Sequence, residues 1–143
     1  MNRFTVPMCV LLVVVVNGCG LLNSRYVNRN FEIGELRETP VGSTMIRAES
    51  GFRNDVYKTV IVGQQCDLVY GGTAKGIIRI TYREFDLDEG RPMPTPIYTQ
   101  DLQYDLNESR FISFRKTLIE IMHASNDKIV YKVLDDPDPT EEY

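Results

Sequence analysis

Beyond the first twenty residues, one thiol, one imidazole and a scatter of carboxylates are the groups that could carry covalent or acid–base chemistry. Cys66 stands in the alternating run Gln65-Cys66-Asp67-Leu68-Val69-Tyr70, and the single histidine, His123, is far along the chain. A nucleophilic thiol needs a base within hydrogen-bond reach, and His123 has no serine, cysteine or acid beside it in a recognisable motif. The alternation makes Cys66 a small apolar residue on the core face of a strand with Leu68 and Tyr70. Gly71-Gly72-Thr73-Ala74-Lys75-Gly76 looks toward phosphate binding, but its lysine precedes the last glycine and a strand follows, so no helix N-terminus meets an anion. It is expected to be a tight turn. Asp86-Leu87-Asp88-Glu89-Gly90 starts with calcium-loop spacing, yet Gly90 takes the fifth position and Ile97 the twelfth, where a bidentate glutamate belongs. An exposed acidic turn is expected there.

Arg79, Arg83, Glu84 and Arg91 could share a sheet face with Asp101 and Asp105, where cross-strand pairs of opposite charge would satisfy them. Tyr82, Tyr98 and Tyr104 could line a groove beside that patch. Tyr82, Arg83, Arg91, Tyr98 and Tyr104 are therefore the candidate ligand or partner surface. No catalytic residue, metal ligand or cofactor is assigned. Asn107-Glu108-Ser109 has a glycosylation pattern without further support.

The elements that would position these groups are short β-prone runs between turn residues. Strands are expected over Phe31–Arg37, Thr44–Glu49, Val56–Val62, Gln65–Tyr70, Ile77–Phe85, Ile97–Leu106, Phe111–Arg115, Leu118–His123 and Lys128–Leu134. Ile77–Phe85 is the clearest: Ile78, Ile80 and Tyr82 fall on one face, Arg79, Thr81 and Arg83 on the other. Ala124-Ser125-Asn126-Asp127 is a hairpin signal. Only Gly51–Tyr57 and Asn107–Arg110 could be helical. The fold class expected is all-β: a single antiparallel β-sandwich or small β-barrel of about eight strands.

The start of the chain is of another kind. Arg3 precedes an apolar run from Val6 to Val16, broken only by Pro7. At about 1.5 Å per residue such a run covers roughly half of a ~30 Å hydrocarbon core, so it suits an export signal better than a membrane span. Val16-Asn17-Gly18-Cys19 follows at once. These residues resemble the lipobox of bacterial prolipoproteins, with an aliphatic residue three positions before the cysteine and a small one just before it; Asn17 is a less usual middle residue. The resemblance implies diacylglyceryl transfer to Cys19, cleavage between Gly18 and Cys19, and a lipid anchor in the cell envelope. Gly20 is not the aspartate that often retains lipoproteins in the inner membrane, so the outer membrane is favoured. A cleaved signal without lipid and an uncleaved anchor stand as alternatives. The stretch from Tyr82-Arg83-Glu84-Phe85 to Tyr104-Asp105-Leu106 is similar to a module of small lipoproteins with no assigned activity.

The expected organisation is a signal peptide over 1–18, a lipidated tether over 19–30, a β-domain over 31–134 and an acidic tail over 135–143. Cys9 would leave with the signal and Cys19 would carry lipid, so Cys66 would have no disulfide partner. With 143 residues, 43% of them hydrophobic, the chain can fold as one domain. Sixteen basic against twenty acidic residues, a formal charge of −4, lack the footprint of a nucleic-acid binder. The expected partners are the membrane, through acyl chains on Cys19, and another envelope protein or polymer bound by a non-catalytic domain. The alternative is a small ligand carrier or enzyme with its site in a sandwich cleft or barrel mouth.

Overall fold

The structure is a computed structural model that describes residues 23–136. Ten strands follow one another: β1 (Asn23–Arg29), β2 (Leu36–Pro40), β3 (Thr44–Asn54), β4 (Val60–Ala74), β5 (Ile77–Asp88), β6 (Arg91–Pro92), β7 (Tyr98–Asp105), β8 (Phe111–Phe114), β9 (Thr117–Ala124) and β10 (Lys128–Asp135). They form two antiparallel sheets. The first runs β1-β3-β4-β5, with β6 and β7 sharing the remaining edge of β5; the second runs β2-β10-β9-β8. The sheets do not close into a barrel, and the arrangement is that of a sandwich. No helix occurs among the described residues.

Alternation decides which residues meet between the sheets. Ile78, Ile80 and Tyr82 are buried, while Arg79 and Arg83 are exposed. Ile129, Tyr131 and Val133 of β10 and Ile119 and Ile121 of β9 answer them from the second sheet. In β3 the pairing slips between Thr44 and Ile46, and both Met45 and Ile46 are buried at that irregularity. Hydroxyls cross the core as well. Tyr70 donates to the Ser125 carbonyl at 2.7 Å, and Tyr131 donates to the Met45 carbonyl.

Several expectations need correction. The segment expected to be a tether over 19–30 is largely β1, paired with β3 from Asn23↔Asn54 to Arg29↔Ala48. Its polar residues suit an edge strand, which needs main-chain partners more than a buried face. Phe31–Glu35 is not a strand; Phe31 drops into the core from the loop before β2. Gly51–Tyr57 is not helical, because β3 runs on to Asn54. The turn that follows is built on Asn54, whose Oδ1 accepts from the Val56 and Tyr57 amides at 2.9 and 3.0 Å. Asn107–Arg110 is a turn in which Asn107 donates to Asp105 Oδ1. Asp135 closes β10, and Asp136 pairs with Arg29 at 2.6 Å, so the tail does not begin at residue 135. Residues 1–22, with the signal and the Gly18/Cys19 site, and residues 137–143 lie outside the described residues.

Gly63 does not stop a strand; β4 runs through it from Val60 to Ala74. Gly63 pairs with Gly51, and a Cβ on Gly51 would lie 2.2 Å from the Val62 carbonyl oxygen and 2.6 Å from Gly63 Cα. Both neighbours are backbone atoms and cannot rotate away. Gly51→Ala is therefore expected to lower stability by about 1–3 kcal/mol, the usual cost of overpacking. The check is the urea midpoint of the variant beside the unsubstituted protein, and an unchanged midpoint would contradict the tight pairing.

Candidate functional site

Chemistry-bearing side chains converge at one end of the inter-sheet space. The β4–β5 register sets Cys66 opposite Glu84 and Leu68 opposite Tyr82, which puts all four on the inner face. Across from them the β8–β9 turn brings Arg115, at φ 47°, with Lys116 at φ 71°. Two successive positive φ values match the twist of a two-residue hairpin, but non-glycine residues adopt them at a cost. Here the turn aims Arg115 inward: Nη1 is 2.6 Å from Glu84 Oε1, and the guanidinium lies 4.7 Å over the Tyr82 ring. Phe114 packs on the same ring at 4.6 Å between centroids.

The Tyr82 hydroxyl is 3.2 Å from Cys66 Sγ and also bonds Glu84 Oε1. Its one proton serves one acceptor at a time, and the carboxylate is the stronger. Burial pushes the Cys66 thiol up from its ordinary value; the Tyr82 hydroxyl opposes that shift and the Glu84 charge adds to it. Burial raises the Tyr82 phenol too, reinforced by its bonds to Cys66 and Glu84. A raised thiol pKa leaves little thiolate at neutral pH, the opposite of what activates a cysteine. The space beside these groups, lined by Phe31, Ile46, Phe114 and Arg115 among others, is about 80 Å³. Ligand pockets run to about 300–1,000 Å³. The cluster is a packed plug across the sandwich and has no room for an organic ligand.

The five residues of the candidate surface do not converge. Tyr82 is a core residue, 2% exposed. Tyr98 and Tyr104 lie on the same sheet face: Tyr98 edges the Tyr82 ring at 6.2 Å, and Tyr104 packs against the core and donates to the Ser113 carbonyl at 3.3 Å. Arg83 is on the opposite, outer face, because odd and even residues of a strand point apart. Arg91 stands on β6 and pairs with Glu89 at 3.4 Å. The expected charged patch is divided in the same way. Arg79, Thr81, Asp101 and Gln103 line a shallow outer groove of about 420 Å³, where Thr81 donates to Asp101 at 2.8 Å, while Glu84 faces inward to Arg115.

Arg115 had no local signal in the sequence, since nothing near it marks a glycine-free turn of this kind. The buried Asp67 was equally hidden: Arg47 holds it at 2.8 and 2.9 Å and Gln65 donates to it at 3.0 Å. Glu84 could have been placed from its alternation with Tyr82. Comparisons with protein-family models, with curated proteins and with solved structures find no match to this chain.

Two outcomes follow from the buried acids. In a chain starting at residue 20, where Cys66 is the only thiol, a thiol reagent should react slowly at neutral pH, and Cys66→Ala should cost about 1 kcal/mol. Fast labelling of the folded protein would contradict this. Cys66, Tyr70, Tyr82 and Tyr131 all have folded pKa values raised by burial. The folded state thus keeps protons that the unfolded chain gives up above about pH 8.5 for cysteine and about 10 for tyrosine. Their stabilisation is complete below those values and is lost as pH climbs through the raised ones. Urea midpoints from about pH 7 to about pH 11 should stay level and then fall, and a rise on the alkaline side would reverse the sign argued here.

Proposed function

We propose that this is a lipid-anchored protein of the bacterial envelope, favouring the outer membrane, whose β-domain acts without catalysis by binding another envelope protein or polymer. The observation that carries this reading is the apolar run ending at Val16-Asn17-Gly18-Cys19, with a small residue immediately before the cysteine. Diacylglyceryl transfer to Cys19 followed by N-acylation supplies two or three chains, and at about 0.8 kcal/mol per buried CH₂ that holds a protein on a bilayer without a membrane span.

Support for surface binding over a carried ligand comes from the filled inter-sheet space. Tyr82 and Tyr104 are occupied in packing, and the Cys66–Tyr82–Glu84–Arg115 plug leaves about 80 Å³. The outer face of β5 and β7, by contrast, is open and polar, with Arg79, Arg83, Asp101 and Gln103 exposed. An open, polar groove of about 420 Å³ on that face, with little apolar lining to enclose a small molecule, suits a protein segment or polymer.

The anchor is tested by Cys19→Ala in a bacterial host. The variant should appear in the soluble fraction or accumulate as unprocessed precursor, whereas normal processing with normal membrane fractionation would overturn the lipoprotein reading. Photo-crosslinking from Gln103 in intact cells should give a discrete adduct; an adduct from the same cells only at inward-facing Tyr104 would argue against the outer face.

A further inference from the structure

We infer that the β3–β4 arm, tipped by Val56 and Tyr57, is a second membrane contact that dips into the bilayer interface beside the Cys19 anchor, an inference that rests on the lipid anchor proposed above. Among the described residues fourteen large hydrophobics are exposed, and five of them, Phe52, Val56, Tyr57, Ile61 and Val62, fall within this one arm. Tyr57 is 76% exposed and Val56 68%. Scattered apolar residues are ordinary on a surface; a cluster at the end of a projecting hairpin marks a contact.

The arm is held in shape without them. Asn54 organises the tip through its side-chain oxygen, its amide donates to the Thr59 carbonyl at 2.8 Å, and Lys58 takes a left-handed φ of 56°. Val56 and Tyr57 are thus displayed by a turn in which both of their amides already have an acceptor in Asn54 Oδ1. Lys58 is exposed between them and β4, a cation suited to lipid phosphate, while the tip carboxylate of Asp55 is engaged by the Ser24 hydroxyl. The β5–β6 turn, with Asp88 and Glu89, comes alongside the arm at Val60, the first residue of β4 after the tip, where a Cβ on Gly90 would lie 3.3 Å from Val60 Cγ2.

The occupant follows from where the chain comes in. Asn23 pairs with Asn54, and Ser24 bonds Asp55, so β1 starts at the very tip of the arm. Cys19 is four residues before Asn23, and four extended residues reach at most about 14 Å. The acyl chains are therefore confined to the pole where Val56 and Tyr57 project, and the intervening Leu21 and Leu22 are themselves apolar. Interfacial insertion of apolar side chains reaches about 5–10 Å into the headgroup and acyl boundary, within the reach of that short connection. A tyrosine, with an apolar ring and a polar tip, suits this depth.

The chain contains no tryptophan, so Tyr57→Trp introduces a single fluorescent reporter. The full-length processed variant, purified and reconstituted in phosphatidylethanolamine–phosphatidylglycerol vesicles, should emit further to the blue than in detergent-free buffer after lipid removal. It should also lose emission when part of the lipid carries bromine on its acyl chains. Phe111→Trp, on β8 away from the arm, should show neither change and stay open to aqueous acrylamide. Val56→Trp repeats the test if Tyr57→Trp folds poorly. Mass spectrometry of the same samples reads the lipid on Cys19 separately. Lipid on Cys19 with no quenching at the tip would overturn the inference and leave the anchor standing; quenching without that lipid would support the membrane contact and remove the anchor. A blue shift insensitive to brominated lipid would assign the tip to a second copy of the chain and overturn the inference.

Discussion

Each sheet sends a tyrosine through the core to hydrogen-bond the other, and the spacing of the sandwich is set by those two crossings. Tyr70, from β4, reaches the Ser125 carbonyl in the β9–β10 turn, and Tyr131, from β10, reaches the Met45 carbonyl on β3. All of Tyr70, Tyr82 and Tyr131 are 2% exposed or less. A buried phenol that missed its acceptor would lose about 1–3 kcal/mol, so the sheets cannot slide or separate without stranding one hydroxyl. Main-chain carbonyls as acceptors make the constraint more rigid than side chains would, because a backbone carbonyl has no rotamers with which to follow a moving donor.

The third buried tyrosine extends the same device to the open end. Tyr82 bonds side chains of its own sheet, Cys66 and Glu84, the Glu84 carboxylate accepting from its hydroxyl, and Phe114 and Arg115 come to its ring from the β8–β9 turn. Closing the end this way requires a turn with two residues at positive φ. It also fills the volume where a carrier of this architecture would hold its ligand. Under the proposed function, recognition would fall to the outer face and to what projects beyond the sandwich. The projection has a simple origin: β4 has fifteen residues, whereas β8, β9 and β10 have four, eight and eight. The second sheet covers only part of the first, and the uncovered length becomes the β3–β4 arm.

What was legible in the sequence was what burial on one face imposes. Ile78, Ile80 and Tyr82 against Arg79, Thr81 and Arg83 could be read directly, as could the Ser125 hairpin and the turn at Lys75–Gly76, whose φ values of 54° and 83° call for a glycine. The edge strand β1 was not, because its partner is β3's backbone and its side chains carry no periodic apolar signal. Glycine misled in the other direction. Gly51 and Gly63 look like strand breakers, but together they let two backbones approach within a strand pair. The tyrosine patch failed for a further reason: Tyr82, Tyr98 and Tyr104 do share a face, yet that face is the core side, and no local pattern tells an aromatic groove from an aromatic core.

The two poles of the domain end up chemically opposite, and the length of β4 keeps them apart. From Val60 to Ala74 the strand rises about 45 Å at the usual ~3.3 Å per residue. One pole carries the apolar tip beside the start of β1. At the other, amide side chains tie three turns together: Asn126 Oδ1 accepts from the Thr73 amide at 3.0 Å, and Asn107 donates to the Lys75 carbonyl at 3.3 Å. Those turns bond to one another through groups that are also compatible with water, so that pole needs no covering partner. Under the proposed anchor, a connection of four residues cannot invert such a domain, since inversion would have to carry the start of β1 across most of the length of β4. The outer face of β5 and β7, lying between the poles, would then stand side-on to the bilayer, open to a partner approaching along the membrane.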